Sequence, residues 1–204
     1  MATTTSTPQD VAPSKSPGLA DPGPWAVTAF ATTSFMLGVY NAGLLGSGSI
    51  AVVFPAAFFF GGLIQIIVGI LEYGRGNIFG MVVFGTYGPF WVIFGAIEVW
   101  FAKMTTPAST EAGVALFLAM FAVITFYFFL ASLKTDAVLI AVFALIFIGL
   151  VFLAIGAQSG ATFWTKAGGW VTLAFAVLAW YHAAADIINF TFGRALVPVG
   201  KIKK

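Results

Sequence analysis

The sequence has no cysteine and little charge. Of its 204 residues, 8% are Asp, Glu, Lys or Arg, against about 25% in ordinary globular domains. Without cysteine there is no disulfide, no thiol nucleophile and no Cys-ligated metal. The single histidine also leaves no second nitrogen or sulfur ligand for a metal such as zinc. We therefore expect neither a metal nor a cofactor.

Apolar residues dominate instead. They make up 60% of the chain, whose mean hydropathy is +1.02, and a soluble domain of this size could not bury them all. The bilayer is the expected solvent, and a crossing needs about 20 residues. Six stretches qualify: residues 24–45, 50–71, 78–101, 113–133, 138–155 and 170–192. We predict an all-α membrane protein, a six-helix transmembrane bundle.

The sequence on either side of the bundle is polar. Residues 1–20 are mostly Thr, Ser, Pro and Ala, and predict a disordered cytoplasmic tail rather than a signal peptide. Residues 21–194 form the transmembrane domain, and residues 195–204 a basic cytoplasmic tail. The net charge of +2 favours contact with anionic membrane lipid and no binding of nucleic acid.

The basic residues predict the orientation, because cytoplasmic loops carry an excess of Lys and Arg. With six spans, both termini lie on one side, together with seven of the nine basic residues: Lys15, Arg75, Lys134, Arg194, Lys201, Lys203 and Lys204. The other side carries Lys103 and Lys166. We therefore predict a multi-pass protein of the plasma (inner) membrane with both termini cytoplasmic.

Polar residues recur at helical spacing inside the spans, which places them on shared faces. The first span aligns Phe30, Ser34, Leu37 and Asn41, with Thr33 alongside; the second aligns Gly62, Gln65, Gly69 and Glu72; the third aligns Gly80, Tyr87, Trp91 and Glu98; the sixth aligns His182, Asp186, Asn189 and Gly193. Glycine stripes are typical of packing seams, and amides bond across helices. The amides therefore have two interpretations, packing and the lining of a polar path.

Three ionisable residues lie within or beside the spans. Glu72 and Asp186 lie near predicted cytoplasmic ends, where pairing with Arg75 or Arg194 offers a structural role. His182 is either a satisfied core histidine or, with Asp186 one turn away, part of a proton relay. Intramembrane serine-protease chemistry would need a nucleophile near the histidine, and none is placed there, so we predict no enzyme.

One region resembles a known family. The stretch FGGLIQIIVGILEYGRGNIFG at residues 60–80, followed by TYGPFW at residues 86–91, is similar to the signature region of the acetate uptake (acetate–succinate) transporters. The ending FGRALVPVG at residues 192–200 also resembles that family. The family's N-terminal motif, Asn-Pro-Ala-Pro-Leu-Gly-Leu, reads instead DPGPWAV at residues 21–27. Because that motif is tied to substrate uptake, the difference concerns substrate preference or rate rather than the fold.

The resemblance implies a homo-hexamer with one pore in each protomer. It also implies a hydrophobic constriction formed by a Phe, a Tyr and a Leu, which match Phe30, Tyr87 and Ile146 here. Trp91 would support this constriction.

The function predicted is membrane uptake of acetate or a similar small monocarboxylate, with succinate a further candidate. Thr33, Asn41 and Gln65 would replace part of the hydration of the carboxylate, and transport would be channel-like or proton-coupled. Glu72, His182 and Asp186 are candidate proton sites. The alternatives are a channel for a neutral solute such as ammonia or water, and a non-transporting membrane scaffold or sensor.

Overall fold

The computed structural model describes residues 20–202, and this range folds into six long helical rods. They are α1 (Gly23–Asn41), α2 (Gly48–Arg75), α3 (Ile78–Val99), α4 (Pro107–Ser132), α5 (Ala137–Ser159) and α6 (Thr162–Thr191). Rods α2 to α6 are long and apolar enough to cross a membrane. The all-α membrane architecture is therefore confirmed.

Rod α1 is shorter, at 19 residues, and less apolar, because it is enclosed by protein. It packs against α6 and against α2. The hydroxyls of Thr32 and Thr33 donate to backbone carbonyls four residues earlier, at 2.8 and 2.9 Å. A threonine whose hydroxyl is satisfied within its own helix can be buried without an unpaired donor.

The rods form a ring around a central space. Consecutive rods pack backbone to backbone except for α3 and α4, while α6 closes the ring against α1. Rods α3 and α4 meet mainly through large aromatic side chains: the rings of Phe90 and Phe117 stack at 5.1 Å, and those of Tyr87 and Phe128 lie 5.9 Å apart edge to face. These side chains hold the two rods at a distance, which leaves room for cavities in the centre.

Several predicted helix ends are wrong. Rod α4 begins at Pro107 rather than at residue 113, and α6 at Thr162 rather than at residue 170. The hydropathy signal marks only the part of a helix inside the hydrocarbon, and these helices begin with polar turns. The first span is overpredicted to residue 45, because Gly43 adopts a positive φ of 77° just after α1 ends.

Rod α2 also differs from its predicted form. It opens with a 3₁₀ turn (Ser47–Val52), widens into a π-helix (Ala56–Ile64) and returns to an α-helix (Gln65–Arg75). The side-chain amide of Gln65 donates to the carbonyl of Gly61 at 2.6 Å and so closes the wide turn. The helix continues beyond residue 71, its predicted end, so Glu72 lies in the last turns of the helix and not in a loop.

The C-terminal strap, residues 194–202, folds back across α5 and α6. Its backbone bonds to the start of α5 through Ala137 N–H, which donates to Gly200 O at 2.9 Å, and Ile202 N–H donates to Thr135 O at 3.2 Å. Asn189 in α6 holds the strap with three hydrogen bonds of 2.7 to 2.9 Å. Residues 203–204 and nearly all of the predicted N-terminal tail lie outside the described residues.

Replacing Asn189 with alanine should detach this strap. Three hydrogen bonds are lost, each contributing about 0.5–1.5 kcal/mol, so the free energy of unfolding should fall by about 1.5–4.5 kcal/mol. Thermal melting followed by tryptophan fluorescence in detergent measures the loss. The matched control is Asn41→Ala, because Asn41 makes no side-chain hydrogen bond within the described range. Equal melting temperatures for the two variants would contradict the role given to Asn189.

Candidate functional site

Two cavities enter the bundle from opposite ends. We call the end near Gly23, Arg75 and the strap the terminal end, and the other the far end. The far-end cavity has a volume of about 430 Å³ and reaches out to Asn41 and Thr165. The terminal-end cavity has a volume of about 240 Å³.

The two cavities share three wall residues. Phe30, Tyr87 and Ile146 line both, and no other residue between 20 and 202 does. They come from α1, α3 and α5, and each is at most 8% exposed. These three side chains therefore separate the two cavities, and we call them the central ring.

Aromatic packing positions the central ring. The ring of Phe30 lies 5.6 Å from that of Tyr87 and stacks on Phe175 of α6 at 5.7 Å. The hydroxyl of Tyr87 makes a buried 2.7 Å hydrogen bond with Thr125 of α4. Tyr87 is thus fixed at both its ring and its hydroxyl, which limits how far it can swing out of the path.

The far-end cavity contains unpartnered polar atoms. Ser34 and Trp91 line it and are 1% and 2% exposed, yet Ser34 Oγ and Trp91 Nε1 have no hydrogen-bond partner. Buried donors are rarely left unpaired unless a water or ligand satisfies them. Asn41 lies on the same wall, and Glu98 and Glu111 line the mouth.

Gln65 and Glu72 line the terminal-end cavity and are each 1% exposed. The shared face predicted for α2 is therefore buried along its length. Glu72 Oε1 lies 3.8 Å from Arg75 Nη1, and Arg75 makes a shorter pair of 2.7 Å with Asp21. The second carboxylate oxygen of Glu72 is buried and has no hydrogen-bond partner.

Thr33 lies away from both cavities. It lines neither, and a Cβ on Gly61 would approach its side chain to 2.9 Å, so it fills the seam between α1 and α2. Its hydroxyl already donates to Ala29 O. The sequence analysis assigned Thr33 to the substrate path, whereas the structure places the neighbouring Ser34 in the far-end cavity.

His182 and Asp186 both line the terminal-end cavity. His182 Nδ1 lies 3.3 Å from Asp186 Oδ2, so Asp186 pairs with the histidine rather than with Arg194 as suggested by the sequence. His182 Nε2 lies 3.0 Å from Asp136 Oδ2. Sequence analysis missed Asp136, whose only local signal is that of a helix N-cap.

Asp136 joins three parts of the fold. Its Oδ1 accepts a hydrogen bond from Leu139 N–H at 2.9 Å and caps α5, and its backbone bridges to Lys201 of the strap. Burial would raise the pKa of Asp136, but the hydrogen bonds from His182 and Leu139 outweigh burial and hold that pKa below its usual value. Asp136 is therefore a fixed negative charge near neutral pH.

Comparison with known proteins identifies the family. The sequence matches the GPR1/FUN34/yaaH family over residues 3–202. The chain belongs to this family. A solved structure titled as that of the bacterial acetate channel SatP superposes with a TM-score of 0.84 at 32% identity, covering 89% of this chain and 99% of that one.

Two relatives within the GPR1/FUN34/yaaH family carry transport names. The succinate-acetate/proton symporter SatP of Escherichia coli K12 is 32% identical over 183 residues, covering 90% of this chain and 96% of the relative. Ammonia transport outward protein 2 of Saccharomyces cerevisiae is 33% identical over 182 residues, covering 87% of this chain and 64% of the relative. The predicted resemblance to acetate–succinate transporters is confirmed at the level of the family.

Proposed function

We propose that this protein moves acetate, or a similar small monocarboxylate, across the membrane through the two cavities and the central ring. The observation that carries the proposal is that the cavities enter from opposite ends and share only Phe30, Tyr87 and Ile146. A hydrophobic ring of this kind selects a solute by size and by the cost of removing its water. The names of the bacterial relatives support a carboxylate as the solute.

The polar lining favours weak binding. Among the described residues, no Lys or Arg lines either cavity, so a carboxylate finds no fixed positive charge. The unpartnered donors of Ser34 and Trp91, with the amide of Asn41, would replace part of its hydration in the far-end cavity. Acidic side chains of the protein lie at the outer part of each cavity, and their negative charge disfavours the entry of a bare anion. We therefore propose that a proton accompanies the carboxylate.

Orientation and assembly belong to the same proposal. The excess of Lys and Arg at the terminal end supports cytoplasmic termini, in the plasma membrane. The proposed pathway lies within one protomer, as in the hexamer with one pore in each protomer that the family resemblance implies. The many large apolar side chains on the outer surface, among them Phe59, Leu116 and Ile187, suit contact with lipid or with neighbouring protomers.

Uptake of radiolabelled acetate into proteoliposomes tests the proposal, with pH gradient and membrane potential imposed separately. The matched control is Ile146→Trp, which fills the central ring and leaves the rest of the pathway unchanged. We expect wild-type uptake to exceed that of the filled-ring control at least tenfold. A proton gradient directed inward, with the interior more alkaline, should drive the accumulation of acetate, whereas a membrane potential alone should not.

Other outcomes would point to the alternatives. Ammonium-dependent alkalinisation without acetate uptake would favour a neutral-solute channel, an alternative motivated by the name of the yeast relative. If neither solute moved faster than in the filled-ring control, the protein would be a scaffold or sensor. Acetate driven by potential alone would replace proton-accompanied transport with conduction of the anion.

A further inference from the structure

The side chain of His182 lies between two carboxylates in the wall of the terminal-end cavity. Its Nε2 is 3.0 Å from Asp136 of α5, and its Nδ1 is 3.3 Å from Asp186, one turn along α6. Asp136 and Asp186 thus lie on opposite nitrogens of the imidazole. The three groups do not converge on a point, and residues 20–202 hold no cluster able to bind a metal ion.

When the imidazole is neutral, it has only one N–H to donate to its two neighbouring carboxylates. A neutral imidazole has one N–H, whereas an ionised carboxylate only accepts. If Nε2–H donates to Asp136, the lone pair of Nδ1 faces a carboxylate oxygen, and Nδ1 is indeed buried without an aligned hydrogen bond. A second proton, placed between Nδ1 and Asp186, turns this repulsion into a charge-assisted hydrogen bond.

The surrounding charges also favour that proton. Asp21 and Glu72 line the same cavity and add negative charge. The nearby cations are Arg75, which is already paired with Asp21, and Lys201 of the strap, whose positive charge attracts the carboxylate of Asp186. Because Asp136 is held ionised, the added proton resides on the side of His182 that faces Asp186. The side chain of Asp186 is 42% exposed, which gives the proton a route to water.

We propose that Asp136, His182 and Asp186 form the proton-binding site of the transport pathway at the terminal end. The inference rests on proton-accompanied transport as proposed above. A carboxylic acid that has passed the central ring gives its proton to the exposed carboxylate of Asp186, which passes it to Nδ1 of neutral His182, and the acid leaves as the carboxylate. The imidazolium then releases that proton through Asp186 to water. Asp136 is the positioning residue that holds the ring between the two partners.

The single histidine makes the site directly observable. Nitrogen-15 NMR of histidine-labelled protein in nanodiscs, purified without a histidine tag, reports the imidazole alone. We expect it to titrate between about pH 5 and 8, with a midpoint that falls by about 1 pH unit in Asp186→Asn. The control Glu111→Gln removes a carboxylate at the far end and should leave the midpoint unchanged.

Transport supplies a second measurement. In His182→Gln, the initial rate of pH-driven acetate uptake should fall at least fivefold, while the final accumulation, which the pH gradient sets whenever a proton accompanies the carboxylate, should not change. In Asp186→Asn, which breaks no hydrogen bond, the pH at which the uptake rate is half-maximal should fall with the NMR midpoint. A structural role alone would lower the amount of folded protein without moving that pH.

The two proposals fail separately. If wild type moves no acetate beyond the filled-ring control, the proposed function fails, and the titration still shows whether the cluster binds a proton. If wild type transports but His182→Gln keeps the wild-type rate of pH-driven uptake, the proton site is wrong and the function stands. An imidazole whose midpoint is the same in wild type and Asp186→Asn would also overturn the site.

Discussion

Replacing Gly169 with alanine should destabilise the protein by about 3 kcal/mol, at the upper end of the usual cost of overpacking. A Cβ at this position would collide with the backbone of α1, meeting the amide nitrogen of Ala42 and lying 2.5 Å from the carbonyl carbon of Asn41. Backbone atoms cannot rotate away as a side chain can. The far ends of α1 and α6 would have to separate, which would lower the yield of folded protein and its melting temperature.

Gly113→Ala is the matched control. Gly113 also lies inside a helix, but a Cβ there meets nothing within 4 Å. Because glycine costs a helix interior about 0.5–1 kcal/mol relative to alanine, this variant should melt slightly higher than wild type. If Gly169→Ala melted as high as Gly113→Ala, the close approach of α1 and α6 would not exist in the folded protein.

The sequence pattern predicted the bundle well and its helix ends poorly, for one physical reason. Hydropathy reports the hydrocarbon environment, so it located all six rods but missed the polar first turns of α4 and α6. It also could not show that Gly169 lies in a close contact and Gly113 in open space, because both lie in apolar helices. Only the packing of α6 against the end of α1 distinguishes them.

The π-helix in α2 was not predictable from composition. Residues 56–64 are apolar, as is expected of any membrane-spanning helix, and nothing in their spacing indicates a wider coil. The structure shows what sustains it: Gly61 and Gly62 lack side chains where α2 meets α1 and α3, and a Cβ on either would come within 3.0 Å of another residue. The Gln65 side chain then satisfies the carbonyl of Gly61.

The candidate site was predictable in part. Phe30, Tyr87 and Ile146 were assigned by resemblance, and the structure places all three between the cavities, although their role in transport stays a prediction. The helical spacing placed Ser34 on the face of Phe30 and Asn41, and Ser34 does line the far-end cavity. Thr33, which was assigned to the substrate path, lies in the seam with α2 instead. Asp136 was missed because its contact with His182 joins residues 46 positions apart.

Truncating the side chains of the central ring should change which acids cross the membrane. In Phe30→Ala and Tyr87→Ala, the flux of lactate should rise at least tenfold over wild type, corresponding to a barrier lower by about 1.4 kcal/mol. Ile146→Ala should act in the same direction with the smallest effect, because it removes the least volume. Competing uptake of labelled acetate, lactate and succinate into proteoliposomes measures the change in selectivity.

Two controls separate the ring from general damage to the core, where truncation of a large side chain costs about 3–5 kcal/mol. Phe35→Ala removes a side chain that packs on Trp180 at 4.8 Å and lines neither cavity, so it should lower stability without changing selectivity. Tyr87→Phe keeps the aromatic side chain in the central ring and loses only the hydrogen bond to Thr125. Phe30→Leu offers a milder truncation if the alanine variant does not fold. Should these folded ring variants exclude lactate as wild type does, the size limit of the pathway lies outside Phe30, Tyr87 and Ile146.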